Sequence, residues 1–208
     1  MINVSGLSKS YGGNVILRDL ELSLGEGVFC LTGPSGSGKT TLARILCGLE
    51  EADSGRISGI PGTVTYMFQE PRLLPWKTAC ENVFLASPGD RAANAAEAAE
   101  MLARLGLGKD DQRKKPAELS GGMQQRTALA RAALYTRRSV GISGGGSFLA
   151  ILDEPLKGLD SATRAAAAAF IKEEFASPPG TLVIITHSEE DIADFGGRII
   201  TPEGHPRQ

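Results

Sequence analysis

The chain is 208 residues long, 41% hydrophobic and 22% charged, with 26 glycines. That balance suits one or two globular domains able to bury about 70% of the unfolded surface without disulfide staples. Its 24 acidic against 22 basic residues leave a net charge of −2, which argues against a general nucleic-acid binder, and no apolar run approaches the roughly 20 residues of a membrane span.

In chain order, the first residues, MINVSGLSKSYGG, lack the basic-then-apolar pattern of a signal peptide. Ile2 to Leu7 and Leu20 to Leu24 read as strands, the second followed by a Gly25-Glu26-Gly27 turn. Val28 to Thr32 is a short β-branched and apolar run that stops at Gly33. Lys39 to Leu49 has helical spacing, with Leu42, Ile45, Leu46 and Leu49 on one face. Thr63 to Phe68 is another strand. Asn82 to Leu107 reads as helix broken near Ser87-Pro88-Gly89, and Gly121 to Tyr135 as a second helix started by Ser120. Strand and helix then alternate again: Phe148 to Leu152, a helix through the Ala165 to Ala169 run, and Leu182 to Thr186. Strands alternating with helices imply a largely parallel sheet covered on both faces, and the helix-only middle implies a lobe inserted in it. Cys30, Cys47 and Cys80 form no CxxC pair and have apolar flanks. They read as reduced, buried thiols of a cytosolic protein.

Gly33-Pro34-Ser35-Gly36-Ser37-Gly38-Lys39-Thr40 fits G-x-x-x-x-G-K-[ST] between a predicted strand and a predicted helix. Glycines let backbone N–H groups turn inward around phosphate oxygens. The helix that follows aims its positive end at the same anion. Lys39 neutralises β and γ phosphates, and the Thr40 hydroxyl, with Thr41 beside it, can ligate Mg²⁺. Phe148 to Glu154 supplies an apolar strand ending in two carboxylates. Asp153 can hold Mg²⁺ through water. Glu154 is expected on the other side, because strand neighbours alternate faces, and is then free to polarise a water.

These elements occur in many phosphate-loop proteins. Leu119-Ser120-Gly121-Gly122-Met123-Gln124-Gln125-Arg126 narrows the field, because it resembles the signature sequence of ATP-binding cassette (ABC) ATPases. The likeness extends in order over most of the chain. Tyr11 stands where an aromatic stacks on adenine, Gln69 follows a strand like the Q-loop glutamine, Gly158-Leu159-Asp160 looks like the D-loop, and His187 ends the last apolar strand like the switch histidine.

The resemblance implies an α/β phosphate-loop NTPase: a single ABC ATPase domain over 1–208. Residues 1–69 and 136–208 would form a RecA-like core with an N-terminal antiparallel β subdomain, and 70–135 a helical subdomain. It implies ATP and Mg²⁺ as cofactors, with Thr40, Gln69 and Asp153 on the metal. Catalysis would fall to Glu154, His187, Gln69 and Lys39. The Gly33 to Thr41 segment and Tyr11 would bind the nucleotide. Ser120, Gly121, Gly122, Gln124 and Asp160 would act in trans in a head-to-tail homodimer that clamps ATP. Phe68 to Trp76 and Asp153 to Asp160 look most like nitrate, sulfonate, taurine and thiamine-precursor import ATPases. Leu73, Leu74 and Trp76 would then grip a short helix of a membrane permease. A solute-binding protein would be an indirect partner, and the cytoplasmic face of the membrane the location.

A soluble ABC-type ATPase acting on DNA ends or ribosomes is the competing reading, and it would need a coiled-coil insertion, tandem cassettes or a basic arm. A module that binds nucleotide without hydrolysing it is a third, opposed by the presence of both Glu154 and His187. Two departures from the family pattern stand out. Lys157-Gly158 precedes Leu159-Asp160 where many relatives carry Ser-Ala, and Ser139 to Ser147 reads as an inserted flexible loop. His205 lies in a polar tail and is assigned no role.

Overall fold

The computed structural model describes residues 1–176 and 179–203; His205 lies outside them. Two sheets organise the chain. The first is antiparallel, in the order β2-β1-β4, built from β1 (Ile2–Tyr11), β2 (Asn14–Leu24) and β4 (Ser54–Ser58). The second is parallel, in the order β5-β6-β7-β3-β8, from β3 (Gly27–Leu31), β5 (Thr63–Met67), β6 (Phe148–Asp153), β7 (Gly180–Ile185) and β8 (Arg198–Ile200).

The first strand is longer than the sequence predicts. Tyr11 pairs with Asn14 across Gly12 and Gly13, both at positive φ (54° and 87°), which is the two-residue hairpin turn that glycine favours. β4 escapes a pattern search because its SGRIS sequence is polar and mostly exposed. The three-residue β8 is too short to read.

The parallel sheet separates two hydrophobic clusters by strand alternation. Leu149 and Ile151 of β6, with Val183 and Ile185 of β7, face β1, β2 and helix α1 (Lys39–Leu46). Phe148, Ala150 and Leu152, with Leu182 and Ile184, face the helices on the other side. These are α2 (Ala79–Phe84), α3 (Arg91–Arg104), α5 (Gly121–Ile142) and α6 (Ser161–Phe175). Every residue of β6 and β7 is buried, as expected of strands covered on both faces. Two short helices, α4 (Lys109–Gln112) and α7 (Glu189–Phe195), complete the fold.

Side chains start the helices. Thr78 and Glu81 form a reciprocal capping box on α2, and Asp90, Ser120, Asp160 and Ser188 cap α3, α5, α6 and α7. α5 runs to Ile142, past the Tyr135 end that the sequence suggests and through the 135/136 division. Between Thr136 and Ile142 only Gly141, one residue from the end, is a poor helix former. Arg137 pairs with Glu97 and Glu174, and Arg138 with Glu97, which ties this last stretch to α3 and α6. Four of the nine residues from Ser139 to Ser147 are therefore helix, and the turn starts at Ser143 and runs into the glycines. The cysteines are free thiols, Cys30 buried and the other two partly so; burial pushes Cys47 up to about 12.

Candidate functional site

At the carboxyl ends of β3 and β6 lies a cleft of about 530 Å³. It gathers Tyr11, Ser35, Gly36, Gly38, Lys39, Thr40, Thr41, Gln69, Asp153, Glu154 and His187 from segments far apart in sequence. Ligands of open α/β sheets bind at this end, outside the carboxyl edge of the strands.

The phosphate loop leaves β3 and turns into α1 at Gly38. That residue sits at φ 93°, and no side chain caps the helix. A Cβ on Gly38 would stand 2.8 Å from Leu17 Cδ2 and 3.0 Å from Ile16 Cγ2. Only glycine satisfies both the backbone and the space. Lys39 is 7% exposed, and its Nζ donates to the carbonyls of Gly33 and Pro34 at 2.9 Å each. Burial lowers the Lys39 pKa, with Asp153 and Glu154 opposing the shift. An anion arriving here would restore the charge that burial penalises. Ser37 Oγ is buried within the loop and has no hydrogen-bond partner among the described residues.

Asp153 ends β6 and is 4% exposed. The Tyr66 hydroxyl donates to its Oδ2 at 3.0 Å. Burial raises the Asp153 pKa and the Glu154 charge adds to the rise, while Tyr66 and Lys39 oppose it. The Thr40 hydroxyl, the Asp153 carboxylate and the Gln69 amide offer a hard-oxygen donor set of the kind Mg²⁺ takes alongside waters and phosphates. These residues fit the ion. Tyr66 is the supporting residue that sequence reasoning misses; its place in a strand pattern gave no hint of its partner.

Glu154 departs from the expected geometry. It does not face away through strand alternation, because β6 ends at Asp153 and Glu154 is left-handed, at φ 49°. Its N–H donates to the Ile185 carbonyl at 2.9 Å, and its own carbonyl accepts from Gln125 Nε2 at 3.1 Å. These bonds hold a backbone that costs about 1–2 kcal/mol for a residue with a side chain. The carboxylate meets Gln69 Nε2 at 2.8 Å, Lys157 Nζ at 2.5 Å and His187 Nε2 at 3.5 Å. Lys157 therefore joins the cluster, although the motif pattern singles it out only as a departure.

The loop carrying His187 is fixed from behind. The Thr186 hydroxyl donates to Asp191, which Arg164 of α6 grips at 2.5 Å. Tyr11 stands at the rim, 44% exposed, its hydroxyl bonded to Glu50.

The signature residues and Asp160 are not part of the cleft. Ser120 is exposed, and its Oγ accepts from Met123 N–H at 3.2 Å. Gln124 points back, donating to the Pro116 and Leu119 carbonyls. A Cβ on Gly122 would stand 3.3 Å from Leu159. Asp160 caps α6 through Thr163, and these bonds hold its carboxyl below the usual range.

The Gln69 segment splits. Leu73 packs on the core, whereas Leu74 and Trp76 are 40% and 64% exposed. Leu74 lines a groove of about 420 Å³ with Phe68, Arg72, Leu85 and Arg131. Arg131 of α5 braces its wall, donating to the Pro71 and Arg72 carbonyls at 2.7 and 2.9 Å.

The profile of the ABC transporter family matches residues 17–157. An aliphatic sulfonates import ATP-binding protein of Rhodopseudomonas palustris is 36% identical over 97% of this chain and 70% of its own. One of Paraburkholderia xenovorans is 39% identical over 96% and 75%. Among solved structures, a dimeric ATP-binding cassette in a post-hydrolysis state bound to ADP and Pi superposes with TM-score 0.80. It is 27% identical and covers 100% of this chain and 97% of its own.

Proposed function

Because the chain belongs to the ABC transporter family, we propose that it is the ATP-hydrolysing subunit of an importer. It would work as a head-to-tail dimer on the cytoplasmic side of a membrane permease. The observation that carries the dimer is spatial. One protomer assembles the phosphate loop, Asp153, Glu154 and His187 in one cleft, yet presents Ser120 and Gly121 to solvent. That exposed helix start, with two glycines behind Ser120, would suit a second anion contact. A second copy turned head to tail lays that tip over the triphosphate.

The reaction is in-line attack of water on the γ-phosphorus, catalysed mostly by positioning and charge. Lys39 moves from the loop carbonyls onto phosphate oxygens. Glu154 orients the water and accepts its proton. His187, 3.5 Å from Glu154 Oε1, stands where it can steady the same water or the γ-phosphate. Thr40, Gln69 and Asp153 would hold Mg²⁺, which supplies charge neutralisation across the phosphates when bound. Tyr11 offers the ring for the base. Residues 1–69 and those after α5 form the sheet-based part, and the helices between them the lobe that meets the permease.

Leu74, Trp76 and the adjoining groove suit a short helix of the permease, and Gln69 links that surface to Glu154. The named relatives handle aliphatic sulfonates. We assign this chain to the same broad group of organic-oxyanion importers, fed by a solute-binding protein. Glu154→Gln tests the core of the reading. Turnover should fall about 10²–10⁴-fold, the usual worth of a positioned base. ATP should still bind and should now trap a dimer visible by size-exclusion chromatography. Turnover at the wild-type rate, or a protomer that stays single with ATP, would refute it.

A further inference from the structure

We propose that Lys157 is a positioning residue that restrains Glu154 in the resting site and so sets the basal rate of ATP turnover. The inference rests on the role given to Glu154 above. Lys157 and Glu154 belong to one tight turn, in which the Lys157 N–H donates to the Glu154 carbonyl at 3.2 Å. From there the ammonium reaches back to Glu154 Oε2 at 2.5 Å. Lys157 lines the nucleotide cleft and also the adjoining cavity of about 320 Å³ that contains Arg164, Thr186 and Asp191.

The carboxylate is engaged unevenly. Oε2 takes two donors, Lys157 Nζ and Gln69 Nε2. Among the described residues, Oε1 faces only His187, at 3.5 Å. A carboxylate that must orient water and take its proton needs free lone pairs and freedom to turn. A cation in contact opposes both: it occupies Oε2 at 2.5 Å and fixes the side chain in one rotamer. The Gln69 amide is tied to the same carboxylate oxygen through its Nε2, so the arrangement restrains two members of the site together.

The restraint is built to be broken. The Lys157 side chain is 61% exposed, against 15% for Glu154. An ion pair this wet is worth at most about fivefold in an equilibrium or a rate, about 1 kcal/mol at 1.36 kcal/mol per tenfold. Gly158 follows, at φ 73°, with open space where a Cβ would stand, so the segment has room to carry Lys157 away.

The test is steady-state ATP turnover of the full chain at saturating protein, comparing wild type with Lys157→Met, Lys157→Ala and Lys157→Arg. The Met and Ala variants should show kcat raised about two- to fivefold, with KM for ATP changed less than about twofold. Arg should keep the wild-type rate by restoring a cation. Salt weakens an exposed ion pair, and the Debye length falls from about 10 Å at 0.1 M to about 3 Å at 1 M. The gap between wild type and Met should therefore narrow as KCl rises, through an increase in the wild-type kcat. An unchanged or lower kcat in Met and Ala, or a gap that ignores salt, overturns the proposal. Should a variant melt early, the salt response of the wild type decides, and a kcat that does not rise with KCl overturns it. Glu154→Gln separates the two readings. If it is inactive while Lys157→Met is unaltered, only the restraint falls; if it turns over normally, the role of Glu154 falls first.

Discussion

Two helix starts in this molecule, those of α1 and α5, are chemically alike and structurally opposite. α1 begins at Gly38 with no side-chain cap, has Lys39 buried in its first turn, and opens into the cleft. α5 begins at Ser120, whose own hydroxyl caps Met123, and its tip is exposed. The first carries unmet need: a buried ammonium, a Ser37 hydroxyl with no partner among the described residues and a second-row carboxylate, Asp153, whose charge is disfavoured by burial. The second is satisfied by local bonds, including Gln124 on the Pro116 and Leu119 carbonyls, and needs nothing to stay folded. Under the proposed function, affinity would reside at α1, whereas α5 would contribute shape that matters only once a second protomer arrives.

The largest expected effect comes from breaking the first start. Lys39→Ala should abolish measurable ATP binding, read by fluorescent-nucleotide titration, because no other ammonium is buried against that loop among the described residues. Retained affinity would mean that the backbone cup suffices. Next, Gly122→Val places a branched side chain against Leu159, where even a Cβ would stand at 3.3 Å. ATP binding by the single protomer should survive, while turnover falls at least about 100-fold, or about 2.7 kcal/mol in the barrier. Equal loss of binding would erase the distinction between the two starts.

Ser120→Ala is smaller. Losing the cap should lower stability by about 0.5–2 kcal/mol, seen as a reduced urea midpoint, together with a drop in turnover but not in nucleotide affinity. Asp153→Asn has the most modest effect on the fold, and of opposite sign. The folded-state pKa of Asp153 is raised, chiefly by burial, so its ionised form weakens the nucleotide-free protein above that pKa. Asn should therefore raise the melting temperature at neutral pH in EDTA. The advantage should shrink as pH falls through the raised value and vanish below the unfolded one, although Mg²⁺-dependent turnover is lost. A lower melting temperature at neutral pH would show that the Tyr66 bond outweighs desolvation.

Legibility in the sequence followed locality. Gly33 to Thr40 could be read whole, because its chemistry is contiguous and its strand and helix flanks are periodic. The buried strands β6 and β7 were visible as apolar runs. What stayed hidden depends on contacts between distant segments or on single dihedrals. Glu154 was placed by strand alternation but turns out through a left-handed residue. The partnership of Tyr66 with Asp153 spans two strands, and that of Lys157 with Glu154 needs the turn itself. Leu73 and Leu74 are neighbours with opposite fates, one in the core and one in the groove. The end of α5 lies beyond Tyr135, where Arg137 and Arg138 are anchored by the distant Glu97 and Glu174.

The close approach of Gly38 to Leu17 and Ile16 has a mechanical meaning. It bolts the loop for the triphosphate to the very ribbon that carries Tyr11 at its tip. The span from ring to loop is thereby held by one ribbon. With Tyr11 in the role proposed for it, such a span would measure the length of a ligand more strictly than the identity of its base. Analogues with another purine should be accepted, while those with a spacer between sugar and phosphate should be turned away.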